Sequence, residues 1–156
     1  MPERELPPRL PPSGSDNVLF QHYRTGVALR ELMRFAVEGT GVTAEEYAVL
    51  GVVGFFPGRT PTELADALGI PPTTVSRLVA RFLDEGLVER EPHPADGRSY
   101  LLRATEKGSE VVRTIAPRVG ELVRALGSVS EQPLGEIAAS LTALEDAARV
   151  VATERK

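Results

Sequence analysis

Thr73, Thr74, Ser76, Arg77 and Arg81 fall within one short stretch of the chain. Hydroxyls and guanidiniums in such a cluster can donate hydrogen bonds to phosphate oxygens and to the base edges of duplex nucleic acid. The interleaved Val75, Leu78, Val79, Phe82 and Leu83 recur three and four apart, which predicts an amphipathic helix with the apolar residues inward and the polar set outward. From Ala67 to Leu83 the only charges are those of Arg77 and Arg81, so this surface reads as locally positive in a chain whose net charge is −4. A second basic position, Arg98, follows Asp96-Gly97 in a loop rich in turn formers.

Other chemistries are poorly served. The chain has no cysteine, which removes disulfides, thiolate metal sites and thiol-based redox sensing. His22 and His93 are its two histidines and offer little for a metal site. No nucleophile with a nearby histidine base and no phosphate-cradling glycine loop is visible, so neither an enzyme nor a bound cofactor is expected. His93, between Pro92 and Pro94, reads as a turn residue rather than a phosphate contact.

The elements that must position these residues are marked by their caps. Apolar spacing from Asn17 to about Glu38 predicts a first helix, with Ser15 or Asp16 as N-cap and Gly39 and Gly41 as its stop. Thr43-Ala44-Glu45-Glu46 and Thr60-Pro61-Thr62-Glu63 each match a capping box, opening a second helix to about Phe55 and a third to Leu68. Gly69 closes the third. The polar helix follows from Thr73 to Glu85, without a side-chain cap because Pro71 precedes it, and Gly86 reads as its left-handed C-cap. Leu87–Arg90 and Ser99–Arg103 read as strands of a hairpin. Thr105 then caps a long helix that Pro117 is expected to kink or split, and a last helix is expected to begin near Ser130.

Helix, turn, helix and hairpin in that order form a winged helix-turn-helix, in which the second helix enters the major groove. The expected fold class is therefore mainly α with a small β-hairpin wing, together with a helical dimerisation domain. The chain of 156 residues, 42% hydrophobic, suits such a module plus helices that complete their core against a second subunit. Its hydrophobic runs are too short to span a membrane. Residues 1–16, with five prolines, read as a flexible tail and not as a signal peptide, and the chain reads as cytoplasmic.

Several segments carry a resemblance: Val42 to Leu50, Glu63-Leu64-Ala65, Leu68-Gly69-Ile70, Thr74-Val75-Ser76-Arg77-Leu78-Val79, Glu85-Gly86-Leu87-Val88-Glu89-Arg90, Asp96-Gly97-Arg98 and Ala104-Thr105-Glu106-Lys107-Gly108. The sequence resembles the MarR family of transcriptional regulators. The resemblance implies a bacterial transcriptional regulator, a repressor before an activator, acting as a homodimer on a short pseudo-palindromic operator in double-stranded DNA. It implies a reading module at 42–103, and a dimerisation region formed by 17–41 and 104–156. Arg98 at the wing tip would enter the minor groove, where a narrow groove concentrates negative potential, with Asp96 bracing its guanidinium. It further implies a small aromatic or amphipathic effector, for which His22, Tyr23, Arg24, Tyr47, Phe55 and Phe56 are candidate lining residues, although a residue such as His22 is more often on the surface and Tyr47, Phe55 and Phe56 suit the core better. A competing reading is a winged-helix protein-interaction module without DNA binding, since Arg59 to Arg103 holds six basic against seven acidic residues.

Overall fold

Capping chemistry and glycine conformation divide the chain into its elements. The computed structural model describes residues 17–155; the proline-rich segment 1–16, and with it the expected cap at Ser15 or Asp16, lies outside them. The order is α1 (Asn17–Val37), α2 (Ala44–Phe55), α3 (Pro61–Leu68), α4 (Pro72–Asp84), β1 (Val88–Pro92), β2 (Tyr100–Ala104), α5 (Glu106–Val129) and α6 (Leu134–Glu154).

Both capping boxes form. Thr43 Oγ1 accepts from the Glu46 N–H at 3.2 Å while Glu46 Oε2 accepts from the Thr43 N–H at 2.7 Å, and Thr60 and Glu63 exchange the same pair of bonds at 3.2 and 2.8 Å. Each box satisfies donors that the first helical turn would otherwise strand. Gly86 adopts the left-handed conformation expected of it, with φ of 66°, and Gly69, expected to close α3, does so in the same conformation with φ of 63°.

Phe82, Leu50, Leu64, Leu78, Leu102 and Ile115 are fully buried and form one core between α2, α3, α4, the hairpin and the first half of α5. The strands pair antiparallel, Val88 opposite Ala104 and Pro92 opposite Tyr100. The hairpin is tied to the segment before α3, where Leu102 donates to the Arg59 carbonyl at 2.9 Å and accepts from the Gly58 N–H at 3.0 Å.

One of the two outcomes expected at Pro117 does not occur, and one helix start differs from expectation. Pro117 does not split α5, which runs unbroken from Glu106 to Val129; the proline lies on the exposed side, while the helix is anchored by the buried Val112 and Ile115. The last helix starts at Leu134 rather than near Ser130, because Ser130 ends α5 and turns its Oγ to donate to the Gln132 carbonyl at 2.6 Å. Pro133 then supplies the carbonyl that accepts the first helical bonds of α6, from Glu136 and Ile137. α6 contributes no buried residue.

Candidate nucleic-acid interface

α4 begins after Pro71, which has no side-chain cap; its carbonyl instead accepts from the N–H groups of Thr74 and Val75 at 2.9 and 3.2 Å. The helix then divides sharply. Val75, Leu78, Val79 and Phe82 are buried, Thr73, Ser76 and Arg77 are exposed, and Thr74 is half-buried at the edge. The exposed set lies on the N-terminal and middle turns, the part of such a helix that reaches base edges.

The charges around this face are not those of the linear sequence. α2 delivers two carboxylates to α4: Glu45 Oε2 lies 3.6 Å from Arg77 Nη2, and Glu46 pairs with Arg81 Nη1. Arg81 also donates through Nε to Glu85 Oε1 at 2.7 Å and through Nη2 to the Gly41 carbonyl at 3.3 Å. The Arg77 pair is exposed on both sides and of little energetic weight. Glu46 differs, being the buried charged side chain among the described residues, 5% exposed. Burial pushes its carboxyl up, but the hydrogen bonds from Thr43 and the charge of Arg81 together outweigh that and hold it below the usual carboxylate range. A sequence window around α4 could not reveal these partners, since Glu46 and Arg81 are separated by 35 positions.

The wing is stiffened along its length. Arg90 stacks over the Tyr100 ring at 4.4 Å, and Arg103 pairs with Glu91 at 2.5 Å. At the tip, Ser99 donates to the Asp96 carbonyl at 3.0 Å and closes a turn. Asp96 braces Arg98 differently from the expectation: its Oδ1 accepts from the Arg98 backbone N–H at 2.9 Å, not from the guanidinium. A carboxylate reaching its own backbone two residues on is the compact solution in a tight turn. Arg98 is exposed and forms no ion pair among the described residues. His93 Nδ1 accepts from the Ala95 N–H at 3.2 Å, which places this residue in the turn.

The segment Thr105-Glu106-Lys107-Gly108 joins the hairpin to α5. Thr105 Oγ1 accepts from Gly108 N–H at 3.1 Å and donates to the Gly86 carbonyl at 2.7 Å, while Lys107 Nζ donates to the Glu85 carbonyl at 2.7 Å. The end of α4 and the start of α5 are thereby capped by the same few residues.

The expected effector-lining residues differ in their exposure. His22 and Tyr23 are exposed and Arg24 half-buried on α1, whereas Tyr47 lies in the core. Phe55 and Phe56 are not core residues, each 58% exposed at the end of α2. A cleft of about 380 Å³ at the joint between α1 and α2 is lined by other side chains, including Arg34, Val37 and Val42.

Residues 40–99 match the sequence model of the MarR family. Over 103 residues the chain is 30% identical to an HTH-type transcriptional repressor of Mycobacterium tuberculosis, covering 66% of this chain and 71% of the relative. The chain belongs to the MarR family. Another relative, an HTH-type regulator of Mycobacterium leprae, is 32% identical over 85 residues, 54% of this chain; the match spans only 59% of that relative's length. The solved MarR-type folds agree with the architecture. The regulator MosR of M. tuberculosis, crystallised with DNA, superimposes with a TM-score of 0.74 at 21% identity over 86% of this chain and 97% of its own. MarR of Escherichia coli does so with a TM-score of 0.64 at 23% identity, over 83% and 96%. The polar helix α4 and the hairpin are thus the second helix and the wing of a winged helix-turn-helix.

Proposed function

We propose that this MarR-family chain is a sequence-specific DNA-binding transcriptional regulator, a repressor, that grips a pseudo-palindromic operator as a homodimer. The observation that carries the reading is the polar face of α4, with Thr73, Ser76 and Arg77 exposed on a helix whose opposite face is fully buried. Thr74 lies at the edge of that face, and Arg98, exposed on a braced turn, is the minor-groove contact. Residues 42–103 form the reading module and residues 17–41 and 104–156 the dimerisation region. In the dimer the two α4 helices lie on one side, about 34–36 Å apart, one turn of duplex.

An effector is the finer part of the proposal. One solved neighbour is a regulator from Streptomyces coelicolor in complex with its natural ligand, and another from Rhodococcus jostii is bound to p-coumaroyl-CoA. By analogy a small aromatic or amphipathic molecule is the effector class for this chain. The exposed Tyr23 and Phe55 supply aromatic surface for it.

A second reading, a protein-interaction module without DNA binding, draws on the carboxylates of Glu45 and Glu46 beside the α4 arginines. Selection from a randomised duplex pool, followed by mobility-shift titration across salt concentrations, separates the two. The regulator reading expects the selected duplex to bind far more tightly than random duplex at physiological salt. Equal retardation of both, or none, would sink it and leave the interaction module.

A further inference from the structure

Arg81 follows Arg77 by one helical turn, and sequence periodicity places both near the outward face of α4. The side chains diverge. Arg77 stays at the surface, whereas the Arg81 guanidinium turns back to the protein body and divides its donors among Glu46, Glu85 and the Gly41 carbonyl. With all three of its nitrogens engaged by the protein, the guanidinium would grip a phosphate bidentately only in competition with these bonds.

Its partners are themselves fixed. The Glu46 carboxylate uses Oε2 to accept from the Thr43 N–H at 2.7 Å and Oε1 to hold Arg81, so one buried side chain belongs both to the N-terminus of α2 and to the middle of α4. Gly41 lies in the joint between α1 and α2, where Gly39 and Gly41 take φ of 75° and 79°. The joint is held from the other side as well: Arg118 of α5 donates to the Glu38 carbonyl at 2.8 Å. Apart from these bonds, the exposed Arg77–Glu45 pair and the cap that Thr105 and Lys107 supply at its C-terminal end, α4 rests on its bed through apolar contacts of Val75, Leu78, Val79 and Phe82, which resist separation but are weakly directional. The bonds of Arg81 are directional, and the rotation of α4 about its own axis decides which of its side chains face outward. Withdrawing Arg81 to contact DNA would strand the buried Glu46 without its counter-charge.

We propose that Arg81 and Glu46 are positioning residues, a strut that sets the rotation of α4 relative to α2 and to the α1–α2 joint, and that Arg81 makes no DNA contact. The functional half of this rests on the DNA-reading proposal above; the mechanical half does not.

Full-length Arg81→Met, Arg81→Lys, Glu46→Gln and the Arg81→Met/Glu46→Gln double variant decide it, each first checked for native helicity by circular dichroism. Against the selected duplex, Arg81→Met and Glu46→Gln should each lose about tenfold in affinity, comparable to misplacing one base contact. The double variant should lose no more than Arg81→Met, Arg81→Lys should recover part of the loss, and the salt slope should stay at the parent value. A phosphate contact at Arg81 would instead lower that slope by about one and leave Glu46→Gln binding at least as tightly as the parent. Hydrogen exchange of the free protein supplies a readout independent of DNA: amides of residues 41–46 and of α4 should exchange faster, and equally, in Arg81→Met and Glu46→Gln. A lowered slope, or unchanged exchange at residues 41–46, overturns the strut. A parent that fails to distinguish duplexes while the exchange result holds overturns the DNA reading alone.

Discussion

Gly108 lies against the carbonyl of Leu87 so closely that a Cβ at residue 108 would overlap the carbonyl oxygen and sit 3.3 Å from Leu87 Cα. The obstacle is backbone at the start of β1 and cannot swing aside as a side chain could. Gly108→Ala should therefore destabilise the fold by about 1–3 kcal/mol or more, the range for overpacking a rigid site. Gly120 in the same helix meets only the far end of Arg124, at 3.9 Å. There alanine should stabilise by about 0.5–1 kcal/mol, the usual gain for filling a helical glycine. Urea denaturation at one fixed protein concentration reads both; equal effects at the two sites would refute the steric account.

Arg98 and Asp96 separate by backbone chemistry. Because Asp96 accepts from the Arg98 N–H, an asparagine oxygen can do the same work. Asp96→Asn should keep DNA affinity at or above that of the parent, having also removed a negative charge from the wing, whereas Asp96→Ala should weaken it. Arg98→Ala should weaken binding severalfold or more and lower the salt slope by about one, with the assembly state unchanged. Mobility-shift titrations across salt test all three variants. Asp96→Asn behaving like Asp96→Ala would return the brace to the guanidinium.

Much of this framework was legible because it is local. Thr43 with Glu46, and Thr60 with Glu63, are read from a spacing of three residues, and Gly69 and Gly86 announce left-handed caps by residue type alone. The motif Thr105-Glu106-Lys107-Gly108 was visible, but its reason was not, since it depends on carbonyls of residues 85–87 brought alongside by folding. The charge of the exposed α4 face misled for the same cause. A window from Ala67 to Leu83 contains no acid, yet the acids that meet Arg77 and Arg81 include Glu45 and Glu46 from another helix. Phe55 and Phe56 resemble core residues by type; their position at the end of α2 is what leaves them exposed.

The acid limb of stability should depend on Glu46. Its folded-state carboxyl lies below the ordinary value, so the stability it contributes is complete above the unfolded-state range, about pH 4.3. That contribution is lost as pH falls through the lower, folded-state value. Glu46→Gln keeps a capping oxygen but has no charge to titrate. The parent should lose stability more steeply than Glu46→Gln as pH falls below about 4.3, and the two curves should converge once pH has passed through the folded-state value. Urea midpoints measured across that range test this; parallel curves would remove Glu46 from the acid response.

Apolar side chains left exposed on α1 and α6 support the proposed homodimer. On α1, Leu19 is 72% exposed and Phe20 65%, and on α6, Val150 is 59% and Val151 50%. An isolated chain would hold this much aliphatic and aromatic surface in water, where each such side chain forgoes about 1.5–3 kcal/mol of burial. The proposed homodimer covers it with the same helices of a second copy, so charge placed there should cost assembly while leaving the core around Phe82 intact. Sedimentation should find the parent dimeric, with a thermal midpoint that rises with protein concentration. Leu19→Glu combined with Val151→Glu should shift it to monomer with retained helicity and lose cooperative binding to the selected duplex, since a lone reading module contacts only one half-site. A parent that stays monomeric at concentrations on the order of tens of micromolar, well above the Kd of a stable dimer, would overturn the dimeric assembly.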